Sequence, residues 1–203
     1  MGIEPMRGWG FYGTKSLQVV PYMKGTPCYV DGMMSHLYYK TKEEGNIATA
    51  FCGEEKNHDQ FVYFFESLKT MQVCCEVTEE GKLVPVGYTW VMNPRGVDGA
   101  RVAQPGMCFF GGAGKRGSAR GLAKLALAYA MVDLRINVLL GEQVYDNYPA
   151  RNFALRLGFK DVARIPYRNA IDGKLVDGRV VMLKDEDFLP KFFEWKESQP
   201  KVE

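Results

Sequence analysis

The sequence predicts a mixed α/β domain, and three stretches carry that prediction. Met107 to Phe110 is a short apolar run that enters Gly111-Gly112-Ala113-Gly114-Lys115-Arg116-Gly117-Ser118-Ala119-Arg120-Gly121. Behind it, Leu122 to Leu134 places Leu122, Leu125, Tyr129 and Val132 at helical spacing, so the segment reads strand, flexible turn, helix. Ile136 to Val144 has the apolar, β-branched character of a strand. It precedes a helix start in Asp146-Asn147 and Pro149, and that helix, Ala150 to Leu157, ends at a Gly158 C-cap with Phe159 placed to pack back. Finally, Met71–Thr78 and Leu83–Met92 flank Glu79-Glu80-Gly81-Lys82, the pattern of a β-hairpin.

The remaining elements follow in order. Residues 1–15 are glycine-rich and read as an arm; the domain proper spans 16–188, and 189–203 holds the end of a last helix and a polar tail. Leu17 to Tyr22 is a first strand. Pro27–Lys42 repeats Met33, Leu37 and Tyr38 at helical intervals, and His58–Lys69 repeats Phe61, Phe64, Phe65 and Leu68. Asn93 to Gly99 is a turn cluster before a strand between Ala100 and Phe110. Asp161–Pro166 and Arg179–Leu183 are two further strands, separated by a loop over 166–178 that carries Asp172-Gly173 and Asp177-Gly178. Asp185–Trp195 is a terminal helix.

A chain of 203 residues suits one well-packed domain. Its net charge of +2 gives no global attraction to nucleic acid or to a membrane surface, and no apolar run approaches the ~18 residues of a membrane span. No apolar h-region of a secretory signal stands near the start. Five cysteines, odd in number and without C-x-x-C spacing, fit reduced thiols and a cytoplasmic location. Cys74 and Cys75 would point to opposite faces of one strand. Two histidines without ligand spacing argue against a zinc site or a Ser/His/Asp triad, and no metal is expected.

The glycine-rich segment points to chemistry. Arg116, Arg120 and Lys124 recur every four residues around a helix start, on one face. Cations there oppose the helix dipole at about 0.3–1 kcal/mol each, a penalty that a bound polyanion turns into attraction. A phosphate-bearing cofactor is the expectation. Gly112 to Gly117 also spells Gly-x-Gly-x-x-Gly, but a dinucleotide fold needs that motif in an opening βαβ unit; a hairpin stands upstream, although Glu142 would supply the acidic residue. A P-loop fails because Arg116 follows Lys115.

Two motifs carry a family resemblance. Arg116-Gly117-Ser118-Ala119-Arg120-Gly121 resembles the Arg/Gln-x-x-Gly-x-Gly/Ala pyrophosphate loop of the GNAT superfamily of N-acetyltransferases, with Ala119 at the first glycine. Asn147, followed eleven positions later by Gly158-Phe159 and with Ala150 between, resembles the family's second landmark. The resemblance covers about Val86 to Leu183. It implies a mixed, mostly antiparallel sheet with splayed central strands, flanked by helices, and acetyl-CoA or CoA as cofactor. It implies contacts to that cofactor from Phe109, Phe110, Gly111, Arg116, Gly117, Ser118, Ala119, Arg120, Gly121 and Asn147. A backbone N–H near Phe110 is the implied oxyanion donor, and Glu142, on the strand before Asn147, the implied general base. Many members carry a Tyr as general acid on the second helix; counting from Asn147, that position is Ala154, so Tyr145, Tyr148 or water takes the role, or the thiolate leaves unaided.

The acceptor is an amine: a protein N-terminus, a lysine, a polyamine or an aminoglycoside. Tyr38, Tyr39, Phe61, Phe64, Tyr167 and Arg168 belong to the segments that would wall its cleft, and Asp31, Glu43, Glu44, Glu54 and Glu55 are acidic candidates for attracting it. The lead-in and the 166–178 loop are candidate covers for the site or contacts in a homodimer. The competing class is a fold of this type used as a binding or scaffold module without chemistry.

Overall fold

The computed structural model describes residues 13–22, 31–47, 51, 56–68, 70–171 and 173–200, with the side chains of 114–116 excepted. The strands are β1 (Leu17–Pro21), β2 (Gln72–Val77), β3 (Leu83–Arg95), β4 (Val102–Phe109), β5 (Val138–Val144), β6 (Lys160–Ile171) and β7 (Lys174–Lys184). The helices are α1 (Met33–Glu43), α2 (His58–Ser67), α3 (Gly111–Arg116), α4 (Ser118–Val132), α5 (Tyr148–Leu157) and α6 (Asp185–Glu197). The strands form one sheet in the order β1-β2-β3-β4-β5-β7-β6, antiparallel except between β4 and β5. This is the mixed, mostly antiparallel architecture expected.

Strand alternation divides the core into two layers. Cys74 faces the layer of α4 and α6 with Leu122, Leu125, Phe188 and Phe192; its neighbour Cys75 faces the layer of α1 and α2 with Leu37, Phe61 and Phe65. The second layer is aromatic: Phe65 meets Phe61, Tyr88 and Trp90 edge-on at 4.7–5.2 Å between ring centres. The Tyr88 hydroxyl within it is satisfied: it donates to Thr41 Oγ1 (3.1 Å), which donates on to the Leu37 carbonyl (2.7 Å). α2 starts with a reciprocal cap in which Asn57 accepts the Gln60 N–H and Gln60 accepts the Asn57 N–H.

Four expectations need correction. The glycine-rich segment is not an open loop: Gly111–Arg116 winds into a short helix, and the turn falls on Gly117, whose φ of 78° suits a residue without a Cβ. β3 continues through Asn93 to Arg95 rather than turning at 93, with a register irregularity between Met92 and Arg95. The segment 166–178 is a β6–β7 hairpin. Its Asp177-Gly178 pair lies inside β7, and the turn-like residues are absorbed by a bulge between Ile165 and Asn169 that accommodates Pro166. α6 runs to Glu197 and buries Phe192 in the core. The helix expected from Pro27 is seen from Met33; residues 1–12 of the arm, 23–30, Lys69, Asp172 and 201–203 lie outside the described residues, as do Cys28, Cys52, Glu54 and Glu55.

The sheet parts at its centre. β4 and β5 pair only at Val102↔Val138 and Ala103↔Leu139. The Phe110 N–H donates to Val86 in β3 (2.9 Å), so the even-numbered amides of β4 point to β3 and the odd-numbered ones toward β5. Pro105 occupies one of those odd positions and has no N–H to offer, so the ladder to β5 ends and the strands diverge. Among the described residues, no helix is long and apolar enough to cross a membrane.

Candidate active site

The split holds a cavity of about 420 Å³. β4 and the start of α3 supply Pro105 to Gly111; β5 supplies Gly141, Glu142 and Gln143; Asn147 and α5 close the far side. α5 presents Ala150, Phe153, Ala154 and Leu157, the i, i+3, i+4, i+7 pattern of one helical face. Phe109 from one wall meets Phe153 from the other at 5.9 Å. Of the two sequence landmarks, the first contributes Ala119 to this cavity and the second Asn147, Ala150 and Phe159.

Phe109, Phe110, Gly111, Ala119, Glu142 and Asn147 all line it. The donor expected near Phe110 resolves by alternation: the Phe110 N–H is committed to Val86, and those of Phe109 and Gly111 fall on the edge facing β5. Gly111 N–H is held by the Glu44 carboxylate. Asn147 caps α5, its Oδ1 accepting the Ala150 N–H (3.1 Å).

The start of α4 carries Gly117, Ser118, Ala119 and Arg120. Among the described residues no side chain caps this helix and no acidic residue stands in its first turn, so the positive end of its dipole meets no counter-charge from that turn. Arg120 is exposed beside them. The Ser118 hydroxyl turns away, donating to Glu76 Oε1 (2.5 Å), with the Ala113 carbonyl 3.1 Å from the same oxygen. Gly121 packs inward, where a Cβ would lie 2.5 Å from Leu17 and 3.5 Å from Trp195. Lys124 does not extend the basic face, since its ammonium lies over the Trp195 ring at 4.7 Å. The Arg116 side chain lies outside the described residues.

Glu142 pairs with Arg168 of β6, Nε to Oε1 at 2.8 Å and Nη2 to Oε2 at 3.3 Å. Neither Tyr145 nor Tyr148 is among the cavity-lining residues. The Tyr145 ring is sandwiched between the guanidinium groups of Arg164 (4.3 Å) and Arg179 (4.2 Å), and Tyr148 is exposed. Arg179, 7% exposed, donates to the Tyr145 carbonyl and to Asp161, tying the turn before Asn147 to the outer hairpin. Cys108 also lines the cavity, but burial pushes its thiol up to about 11, which keeps it protonated near neutrality.

Sequence reasoning missed Pro105, Asn46, Gln143 and Phe153. A signal existed for two of them: a proline inside a predicted strand, and the apolar period of the helix after Asn147.

The fold is that of the GNAT acetyltransferases. A GNAT-family acetyltransferase from Bacillus anthracis superposes with a TM-score of 0.65 at 10% identity over 92% of this chain and 99% of its own. A GCN5-related N-acetyltransferase from Brucella melitensis gives 0.67 at 14% identity over 96% and 89%. The spermidine N-acetyltransferase from Vibrio cholerae, solved with CoA and spermine, gives 0.66 at 15% over 85% and 98%. No family model and no curated protein matches the sequence.

Proposed function

We propose that this chain is an acetyl-CoA-dependent N-acetyltransferase acting by direct transfer to an amine. One observation carries the reading: the sheet parts beyond Ala103, and Ala119 of one sequence landmark and Asn147, Ala150 and Phe159 of the other line the opening. The residues suit CoA. The uncapped start of α4, with Gly117, the backbone of Ser118 to Arg120 and the Arg120 guanidinium, would receive the pyrophosphate. The odd-numbered amides of β4 and the Asn147 side chain would hold the arm between the strands. Bound acetyl-CoA supplies an activated acetyl thioester.

The rest falls to the protein. The Phe109 N–H would donate to the carbonyl oxygen as charge develops there. Glu142 would take the proton of the acceptor ammonium, directly or through water, once Arg168 yields it. Ala154 lines the cavity where the family's acid would stand and has no proton to give. Tyr145 and Tyr148 stay candidates through water or a movement of the turn, and solvent serves otherwise. The high Cys108 thiol speaks against an acetyl-enzyme route.

Isothermal titration of acetyl-CoA and CoA, with Arg120→Glu as control, tests this reading. Micromolar binding that weakens about tenfold in the variant supports it. No binding at millimolar cofactor leaves a fold used as a scaffold, and tight binding without turnover of any amine leaves a CoA-binding module.

A further inference from the structure

The Arg168–Glu142 pair is built by three separate features. Arg168 leaves the β6 bulge just after Tyr167, whose φ of 51° is a left-handed conformation that a tyrosine rarely adopts. Asp177 fixes that residue: its Oδ1 accepts the Tyr167 N–H (3.1 Å), while Arg164 Nε donates to its Oδ2 (2.6 Å). Gly178 provides the floor, for a Cβ there would stand 2.8 Å from Arg168 Cγ and 2.9 Å from its Cβ. The stem therefore crosses β7 where a side chain is missing, and the guanidinium reaches the carboxylate of β5. Strained backbone, a capping carboxylate and a glycine floor are more than a chance surface pair needs, since exposed pairs contribute little to stability. The Glu142 side chain is 18% exposed and lines the cavity, whereas Arg168 is 52% exposed beside it.

A cationic amine that binds Glu142 competes with Arg168 for its oxygens. A plain amine sets a second cation beside the guanidinium and offers it no anion in return, a repulsion set against every such ligand. A ligand with an ammonium and a carboxylate a few ångströms apart exchanges one ion pair for two. We infer that the acceptor is a free α-amino acid, its ammonium on Glu142 and its carboxylate on Arg168. This rests on the acetyltransferase reading above and narrows its acceptor. In the transfer, the amine nitrogen bonds the acetyl carbon and the C–S bond breaks with its electron pair to sulfur. The ammonium first gives one proton to Glu142, the second nitrogen proton leaves to the departing thiolate through water as the amide forms, and the carboxylate held by Arg168 is unchanged.

The test measures thiol release from acetyl-CoA with a panel of L-amino acids, their α-amides and linear polyamines, beside calorimetry of acetyl-CoA alone. The expected result is a kcat/KM about tenfold higher for an acid than for its amide, the order a charge-assisted hydrogen bond supplies. Arg168→Gln should abolish that preference and Arg168→Lys restore part of it. With CoA bound, the preferred acid should raise Tm more than its amide does. Amides or polyamines turned over as well as the acids overturn the inference, and so does acetyl-CoA binding with no acid acetylated; both spare the cofactor reading. Failure of acetyl-CoA to bind removes that reading and this inference together.

Discussion

The Gly111 N–H points between the two carboxylate oxygens of Glu44, 2.9 Å from each, joining the end of α1 to the start of α3 at the mouth of the cavity. Gly111 opens α3 just beyond β4 and lines the cavity, so this carboxylate occupies an amide that a bound cofactor arm would compete for. Glu44→Ala removes the competitor. The dissociation constant of CoA should fall about fivefold, matching about 1 kcal/mol for one hydrogen bond, as calorimetry will read. A weaker complex would give Glu44 a supporting part instead.

Glu142→Gln keeps the size of the side chain and removes its basicity. On the proposed reading kcat should drop about 100-fold, the lower end for loss of a general base, with CoA affinity held. Steady-state rates against pH supply the check, since the lost limb of the profile has to be the one that needs a deprotonated group.

Gly178→Ala places a methyl group inside the space of the Arg168 stem. Stability should change by less than about 1 kcal/mol, because Arg168 is half exposed and can swing out. The preference for acids over amides should fall as it does in Arg168→Gln. A variant that keeps the full preference would show that the glycine floor is immaterial.

Gly106→Ala probes the opposite face of β4. A Cβ at this position would stand 2.1 Å from the rigid ring of Trp90, which is 3% exposed. The ring is packed against Phe51, Phe65 and Tyr88, at 5.2–5.8 Å between ring centres. Overpacking of this kind costs about 1–3 kcal/mol, to be read as a lower urea midpoint together with altered tryptophan emission.

Asp161 ties α5 to the outer hairpin. Hydrogen bonding from Arg151, then from Arg179, outweighs the opposing desolvation and holds its carboxyl below the usual carboxylate range. A group whose folded pKa is depressed stabilises the fold fully above its unfolded pKa of about 3.9, and loses that contribution as pH falls through the folded value. Unfolding free energies of wild type and Asp161→Asn, measured from pH 6 to pH 3, should differ most at pH 6 and converge toward pH 3. A constant gap would mean that the carboxylate charge is not what the two arginines hold.

Local signals in the sequence carried much of the fold. Asn147, Pro149 and Gly158 mark both ends of α5 because caps are properties of a few adjacent residues. The β2–β3 hairpin was equally legible. The β6–β7 hairpin was not, because Asp-Gly and Pro normally read as turns, and only the pairing of Asp177 with Tyr167 and Arg164 converts them into a bulge within a ladder. In the site, the strand ends and Asn147 were visible as motifs. Asn46, Gln143 and the Glu44–Gly111 contact were not, since they depend on where separate elements meet. Gly121 fits the phosphate motif by letter, yet it packs against Leu17 and Trp195, and spacing alone does not separate these uses.

Pro105 has a consequence for the empty protein. A strand pair able to zip shut would have to be pried open by each arriving ligand, and the work of prying would be subtracted from the affinity. A missing amide hydrogen takes one rung from the zipped form and so disfavours it. The slot is thus opened in part by covalent structure, and an extended chain docking into it meets a weakened competitor.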